Sequence, residues 1–126
     1  MKNDISNRED IHFIITEFYN KLTSDNEMIP FFDEIVKSNH LEEHINIISD
    51  FWNDILFYTN TYANNVLQKH LDFDKKVNFK KEHFVIWLGY LKTTIDDHFK
   101  GQNAQNMKDR ASSIATVMQV KFKLYQ

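Results

Sequence analysis

The sequence predicts a single all-α domain over residues 1–126, and three observations carry that expectation. Two glycines and one proline in 126 residues leave too few turn formers for a β-rich chain of this size. Apolar residues recur three and four positions apart along most of the chain, the period of a helix with one buried face. No repeat, low-complexity tract or linker divides the sequence, and its length suits one core that removes roughly two-thirds of the unfolded surface from water.

The elements follow in order. Ser6 with Glu9 three residues on reads as a capping box, and Ile11, Ile14, Ile15, Phe18, Tyr19 and Leu22 then keep the helical period, so Tyr19 belongs to the buried face. Pro30 suits the first turn of a short second helix carrying Phe31, Phe32 and Ile35. A third helix is expected from Ser38 or Asn39, with Leu41, His44, Ile45, Ile48, Phe51, Trp52, Ile55 and Leu56 as its apolar stripe. From Tyr58 to Asn65 the pattern gives way to Thr, Asn and Tyr, a loop leading to a short segment from Val66 to Leu71 that contains His70. Asn78 is the expected cap of the next helix, striped by Phe84, Trp87, Leu88, Leu91, Ile95 and Phe99 and closed at Gly101. Met107, Ala111, Ile114, Met118, Phe122 and Tyr125 stripe the last.

Composition narrows the chemistry. Without cysteine there is no disulfide, no zinc–thiolate centre and no thiol nucleophile. A net charge of -3, with Lys75, Lys76, Lys80 and Lys81 offset by Asp72, Asp74 and Glu82, supplies no basic stripe, so no nucleic-acid partner is expected. The opening Met1-Lys2-Asn3-Asp4 lacks the apolar core of a signal peptide, and no apolar run approaches the roughly 20 residues of a membrane span. A soluble cytoplasmic protein is the expectation.

Polar residues on apolar stripes mark the candidate site. Tyr19, His44, His70 and Trp87 form a series flanking an aromatic-rich segment, a pattern that suggests a pocket for a metal-bearing planar cofactor, with haem the foremost candidate. His70, on a short segment after a loop and flanked by Leu67 and Leu71, is the better metal ligand of the two histidines. Taken singly, each histidine or tryptophan reads more readily as plain packing, and Tyr19 reads as well as a core tyrosine bonded to a backbone carbonyl. A competing pattern is His40-Leu41-Glu42-Glu43-His44, which matches the H-x-x-E-H of inverted zinc metallopeptidases. Against it, Glu42 and Glu43 are explained as first-turn acids favouring the helix dipole.

Phe18-Tyr19, then Pro30-Phe31-Phe32, His44 seven residues before Phe51-Trp52, Lys69-His70-Leu71-Asp72, and His83-Phe84 with Trp87-Leu88 form an ordered series from about Ile11 to Met118 that resembles the group III truncated haemoglobins. The resemblance implies a truncated globin fold, two antiparallel helix pairs sandwiching one haem b in a two-over-two arrangement. His70 is then the proximal ligand to iron, and Tyr19 and Trp87 are distal donors to an iron-bound ligand. His44 is the distal histidine, able to swing as a gate, while Phe32 packs on the porphyrin and Trp52 lines the pocket. Asn64-Asn65-Val66 before His70 and Asp74-Lys75-Lys76 after it depart from the glycines and prolines that the family often has there. The implied function is reversible binding of O2, and of NO, CO or other diatomic ligands, at a pentacoordinate haem iron, as in oxygen transport, with an unknown reductase as partner. A haem-dependent nitric-oxide dioxygenase or peroxidase is the enzymatic alternative, and a haem-free helical interaction module is the third.

Overall fold

The computed structural model describes residues 2–58 and 80–121, and these hold five helices: α1 (Arg8–Leu22), α2 (Ile29–Lys37), α3 (Leu41–Phe57), α4 (Lys81–His98) and α5 (Gln102–Lys121). No strand occurs among the described residues, only an isolated bridge between Asn3 and Phe99. The expected loop from Tyr58 onward, the segment with Lys69, His70, Lys75 and Lys76, and the stripe residues Phe122 and Tyr125 lie outside the described residues, apart from Tyr58 itself.

Two helical pairs make the fold. α1 packs along α3, α4 packs along α5 after the short corner at Phe99–Gly101, and α1 also crosses α4 and so joins the pairs. α1 is the shared wall because its buried face is complete: Ile11, Ile14, Ile15, Phe18, Tyr19 and Leu22 are the residues the periodicity selects, and all six are buried. α3 contributes Ile45, Trp52 and Leu56, α4 contributes Phe84, Leu91 and Ile95, and α5 contributes Ala104, Met107, Ala111, Ala115 and Met118 to the same apolar cluster. The small alanines of α5 let its backbone approach its neighbours closely. Burying a side chain the size of leucine or phenylalanine stabilises the fold by about 1.5–3 kcal/mol, so these stripes supply the main driving force.

Helix starts differ from those expected by one to three residues, and each shift has a local cause. Asn7, not Ser6, caps α1: its side chain accepts the Asp10 N–H at 2.9 Å, while the Asp10 carboxylate reaches back to the N–H and hydroxyl of Ser6. The expected capping box is not formed, because the Asp10 carboxylate returns its bond to Ser6 and not to the N–H of the cap residue Asn7. Asn39 takes a left-handed conformation (φ 65) instead of capping α3, which begins after His40. That left-handed turn is the conformation asparagine tolerates best after glycine. α4 starts after Lys80, where His83 provides the cap: its Nδ1 accepts the Lys80 N–H at 2.9 Å while its own N–H donates to the Lys80 carbonyl; the expected cap Asn78 lies outside the described residues.

The N-terminal segment is strapped across the corner between α4 and α5. Asp4 caps α5 from about a hundred residues away, its carboxylate accepting the N–H groups of Asn103 and Ala104 at 2.9 Å each. Asn103 Nδ2 returns a bond to the Ile5 carbonyl at 2.8 Å, and the Lys100 N–H donates to Asn3. Gly101 does not simply end α4, which stops at His98. It sits in the corner at φ 153, where a Cβ would run into the Asp4 carboxyl.

Partial burial works to raise the Asp4 pKa, but the N–H donors of Asn103, Ala104 and Ile5 outweigh it and hold the group below its ordinary 3.8. A depressed carboxylate stabilises the fold above its unfolded pKa and loses that contribution as the pH falls through the folded value. Asp4→Ala is therefore expected to lower stability by roughly 0.5–2 kcal/mol at neutral pH. In urea unfolding, the gap between the parent and the variant should be full at about pH 7 and close on acidification below about pH 4.

Candidate functional site

Tyr19 stands at the inner end of α1 with 3% of its surface exposed, and a phenol this deep needs a partner for its hydroxyl. The partner is His44: the Tyr19 oxygen and His44 Nε2 are 2.8 Å apart, with the rings edge to face at 87°. The expectation that His44 turns inward from the first turn of α3 is met at this contact. Phe32, on α2, meets Tyr19 edge to face at 5.3 Å, and Phe18 does the same from the preceding position of α1. Burial pushes the Tyr19 hydroxyl well above the usual tyrosine range, so it remains a protonated donor at every physiological pH.

Phe18 hands the aromatic chain on to α4, its ring 5.9 Å from that of Trp87. Trp52, stacked edge to face with Phe51 at 5.5 Å, is 2% exposed. Phe18, Tyr19, Phe51, Trp52, Trp87, Ile48, Ile114 and Met118 together line a cavity of about 20 Å³. That is room for one water-sized or diatomic molecule. The indole N–H groups of Trp52 and Trp87 find no acceptor among the described residues. A buried donor left without a partner costs roughly 1–3 kcal/mol, so the Trp52 indole, with the half-buried Trp87 indole on the same small cavity, is an arrangement that an acceptor in or beside it would relieve.

The structure thus gathers Tyr19, His44, Phe32, Trp52 and Trp87, five of the six residues expected at the site. The sixth, His70, lies outside the described residues. Phe18, Ile48, Phe51, Ile114 and Met118 complete the lining without having been singled out, although each stands on a helical stripe and so carried the signal of burial if not of the site.

The zinc pattern is not formed. His40 is an exposed residue before the first turn of α3, His44 is engaged by Tyr19, and Glu42 reaches across to His12 of α1 at 3.1 Å. No group of three or more histidines and carboxylates suited to a metal ion occurs among the described residues.

Helical pairs α1–α3 and α4–α5, with a buried tyrosine, a histidine and two tryptophans about an apolar cavity, define an all-α globin of the truncated, two-over-two kind. Comparisons with known proteins agree with that fold. The chain is 29% identical over 121 residues to the group 3 truncated hemoglobin ctb of Campylobacter jejuni, covering 94% of this chain and 93% of that protein. It superposes on the crystal structure of group III truncated hemoglobin from Campylobacter jejuni with a TM-score of 0.85 at 28% identity, covering 100% of this chain and 97% of that one. No protein-family model matches the sequence. The chain is a globin homologous to the group III truncated haemoglobins, as its residue series suggested. None of its described helices is long and apolar enough to cross a membrane.

The depth of Tyr19 makes an optical prediction. Tyrosinate absorbance between about pH 9 and 11 should arise from other tyrosines, so the folded Tyr19→Phe chain is expected to titrate with the same amplitude as the parent in that window. A missing fifth of the signal would mean that the hydroxyl meets solvent.

Proposed function

We propose that the chain binds haem and reversibly takes up O2 and other diatomic molecules in the cavity bounded by Tyr19, Trp52 and Trp87. The observation that carries this reading is the grouping of the buried Tyr19, paired with His44, and two indole donors that no described residue engages, on a cavity of one-molecule size. Bound haem supplies an iron with an open coordination position at which small ligands attach reversibly. The residues present suit such a group: flat aromatic and aliphatic walls accept an apolar ring, and the few polar atoms are donors turned to one small space. A cofactor pocket needs roughly 300 Å³ or more, so the described residues form its ligand end only.

Among the chain's own residues, His70 is the proposed holder of the metal, through a neutral imidazole nitrogen. Phe32 and Trp52 are proposed contacts of the ring. The proposed form is haem b, and a cysteine-free chain cannot make the thioether links of c-type haem. A cytoplasmic setting and a reductase that keeps the iron ferrous belong to the same reading, and the absence of cysteine suits a reducing compartment.

Tyr19 and His44 act as one device. When His44 Nε2 carries the proton, it donates to the phenol oxygen and leaves the Tyr19 O–H to donate into the cavity. In the other tautomer the hydroxyl donates to Nε2 and is spent. His44 thereby selects whether the cavity holds two donors or three, and because it is only half-buried, a rotamer change toward solvent would open a way in.

Two experiments test the reading. His70→Ala should lose haem or hold it weakly while His44→Ala keeps it, read from the absorption spectrum of the purified proteins with and without reductant; a chain that never acquires a haem band sinks the proposal. Tyr19→Phe should speed O2 dissociation about ten- to a hundredfold, the equivalent of roughly 1–3 kcal/mol for one buried donor. The double change with Trp87→Phe should go further, and stopped-flow rates unaltered in both would remove these residues from ligand contact.

A further inference from the structure

Four side chains of α4 fall on one face. His83, Trp87, Tyr90 and Thr94 are spaced i, i+4, i+7 and i+11, and that face looks onto α1 and the turn after it. Phe31 lies 4.5 Å from the His83 ring, Phe18 lies 5.9 Å from the Trp87 ring, and Lys21 Nζ donates to Thr94 at 2.9 Å. Tyr90 donates its hydroxyl to Asp25 Oδ2 at 2.5 Å, a bond between residues 65 apart in the chain. Trp87 sits one turn from His83 on one side and one turn from Tyr90 on the other, with its own N–H unengaged by any described residue.

Asp25 is more than a surface acceptor. Its other carboxylate oxygen accepts the Glu27 N–H at 2.8 Å, and its carbonyl accepts the N–H groups of Met28 and Ile29 at 3.0 and 2.9 Å. One residue therefore shapes the turn that ends in the fully buried Met28 and launches α2 with Phe31 and Phe32. The Tyr90 hydroxyl is the first cause of a lowered Asp25 pKa, so the carboxylate stays ionised and accepting well into acid.

We propose that Asp25 and Tyr90 are positioning residues for Trp87: their bond, with the Phe31–His83 contact one turn beyond, fixes α4 lengthwise against the α1–α2 turn and so sets where the Trp87 indole stands relative to Tyr19 and Phe32. Besides the apolar packing of Phe84 and Leu91 in the shared core, the Trp87 stretch of α4 meets α1 at the Phe18 ring edge, and apolar and ring-edge contacts tolerate sliding where a short charge-assisted hydrogen bond does not. The relevance of this placement to ligand binding rests on the function proposed above, but the placement itself does not.

The test separates the two. In the full chain as purified, reduced and saturated with carbon monoxide, the two tryptophans give two indole N–H resonances, assigned with Trp52→Phe. Tyr90→Phe keeps the ring and removes the hydroxyl. It is expected to move the Trp87 resonance and speed its exchange with solvent severalfold while the Trp52 resonance stays in place. Asp25→Ala should reproduce the change, and Asp25→Asn, which keeps an acceptor, should restore most of the parent signal. O2 dissociation then completes the cycle: Tyr90→Phe should alter the rate in the parent and leave it unaltered in a Trp87→Phe background, because positioning acts only through the indole. A Trp87 resonance unmoved in both Tyr90→Phe and Asp25→Ala overturns the proposal. A resonance that moves with no change in dissociation upholds the positioning and counts against a ligand role for Trp87.

Discussion

Burying the Tyr19 hydroxyl is the constraint on which the arrangement of the helices depends. A phenol on the inner face of α1 costs several kcal/mol if it enters an apolar core unpaired. The fold answers by bringing the first turn of α3 to it, and His44 Nε2 arrives at 2.8 Å. That contact sets the start of α3 against the end of α1, while Arg8 holds the two helices together at the other end of α1 through Asp50 and the Asn46 carbonyl. With α3 fixed at both points, Trp52 has one place to go, against Phe51 and the cavity wall. The same hydroxyl that demands a partner for stability becomes a donor once His44 holds the proton instead.

Much of this was legible in the sequence where polarity and period agreed. The stripe of α1 named its six buried residues because each is apolar apart from one hydroxyl, and Tyr19 and His44 stood out as polar groups on apolar stripes. Where a buried position is polar, hydropathy misses it. Ser49 is fully buried on α3 because its hydroxyl bonds the Ile45 carbonyl one turn back and brings no unmet demand into the core. Thr94 is buried on α4 for the same reason, bonding the Tyr90 carbonyl. The face of α4 that meets α1 alternates histidine, tryptophan, tyrosine and threonine, so its periodicity is one of geometry and not of hydropathy.

Helix ends were less legible than helix faces, since a cap is a contest among neighbouring polar side chains. Ser6 and Asn7 both qualify before α1, and Asn7 wins because Asp10 stands three residues on and reaches back over it. The cap of α5 could not be read locally at all, because Asp4 supplies it from the far end of the sequence. Asp25–Tyr90 belongs to the same class. A hydrogen bond between residues 65 apart leaves no pattern in either neighbourhood. His83 was visible only as part of the residue series shared with the truncated haemoglobins, where its role as the cap of α4 was not evident.

The two ends of α1 and α4 divide stability from chemistry. At one end Asn7 caps α1 through the Asp10 N–H, Asp4 caps α5 through the N–H groups of Asn103 and Ala104, and Phe13 is flanked by His98 and Phe99 at 4.8 and 6.5 Å. Donors there have acceptors, and an added Cβ at Gly101 has no room. At the other end Tyr19 is hydrogen-bonded to a half-buried histidine, and the Trp87 indole N–H has no acceptor among the described residues. Leaving such donors unpaired destabilises the folded state, and a fold can carry that burden only where other contacts hold the same helices rigid. The strap at Asp4 and the tie at Asp25 are those contacts. They fix α4 at its end and in its middle, so that the stretch bearing Trp87 is held in place by bonds made elsewhere, and the indole itself is left available to whatever enters the cavity.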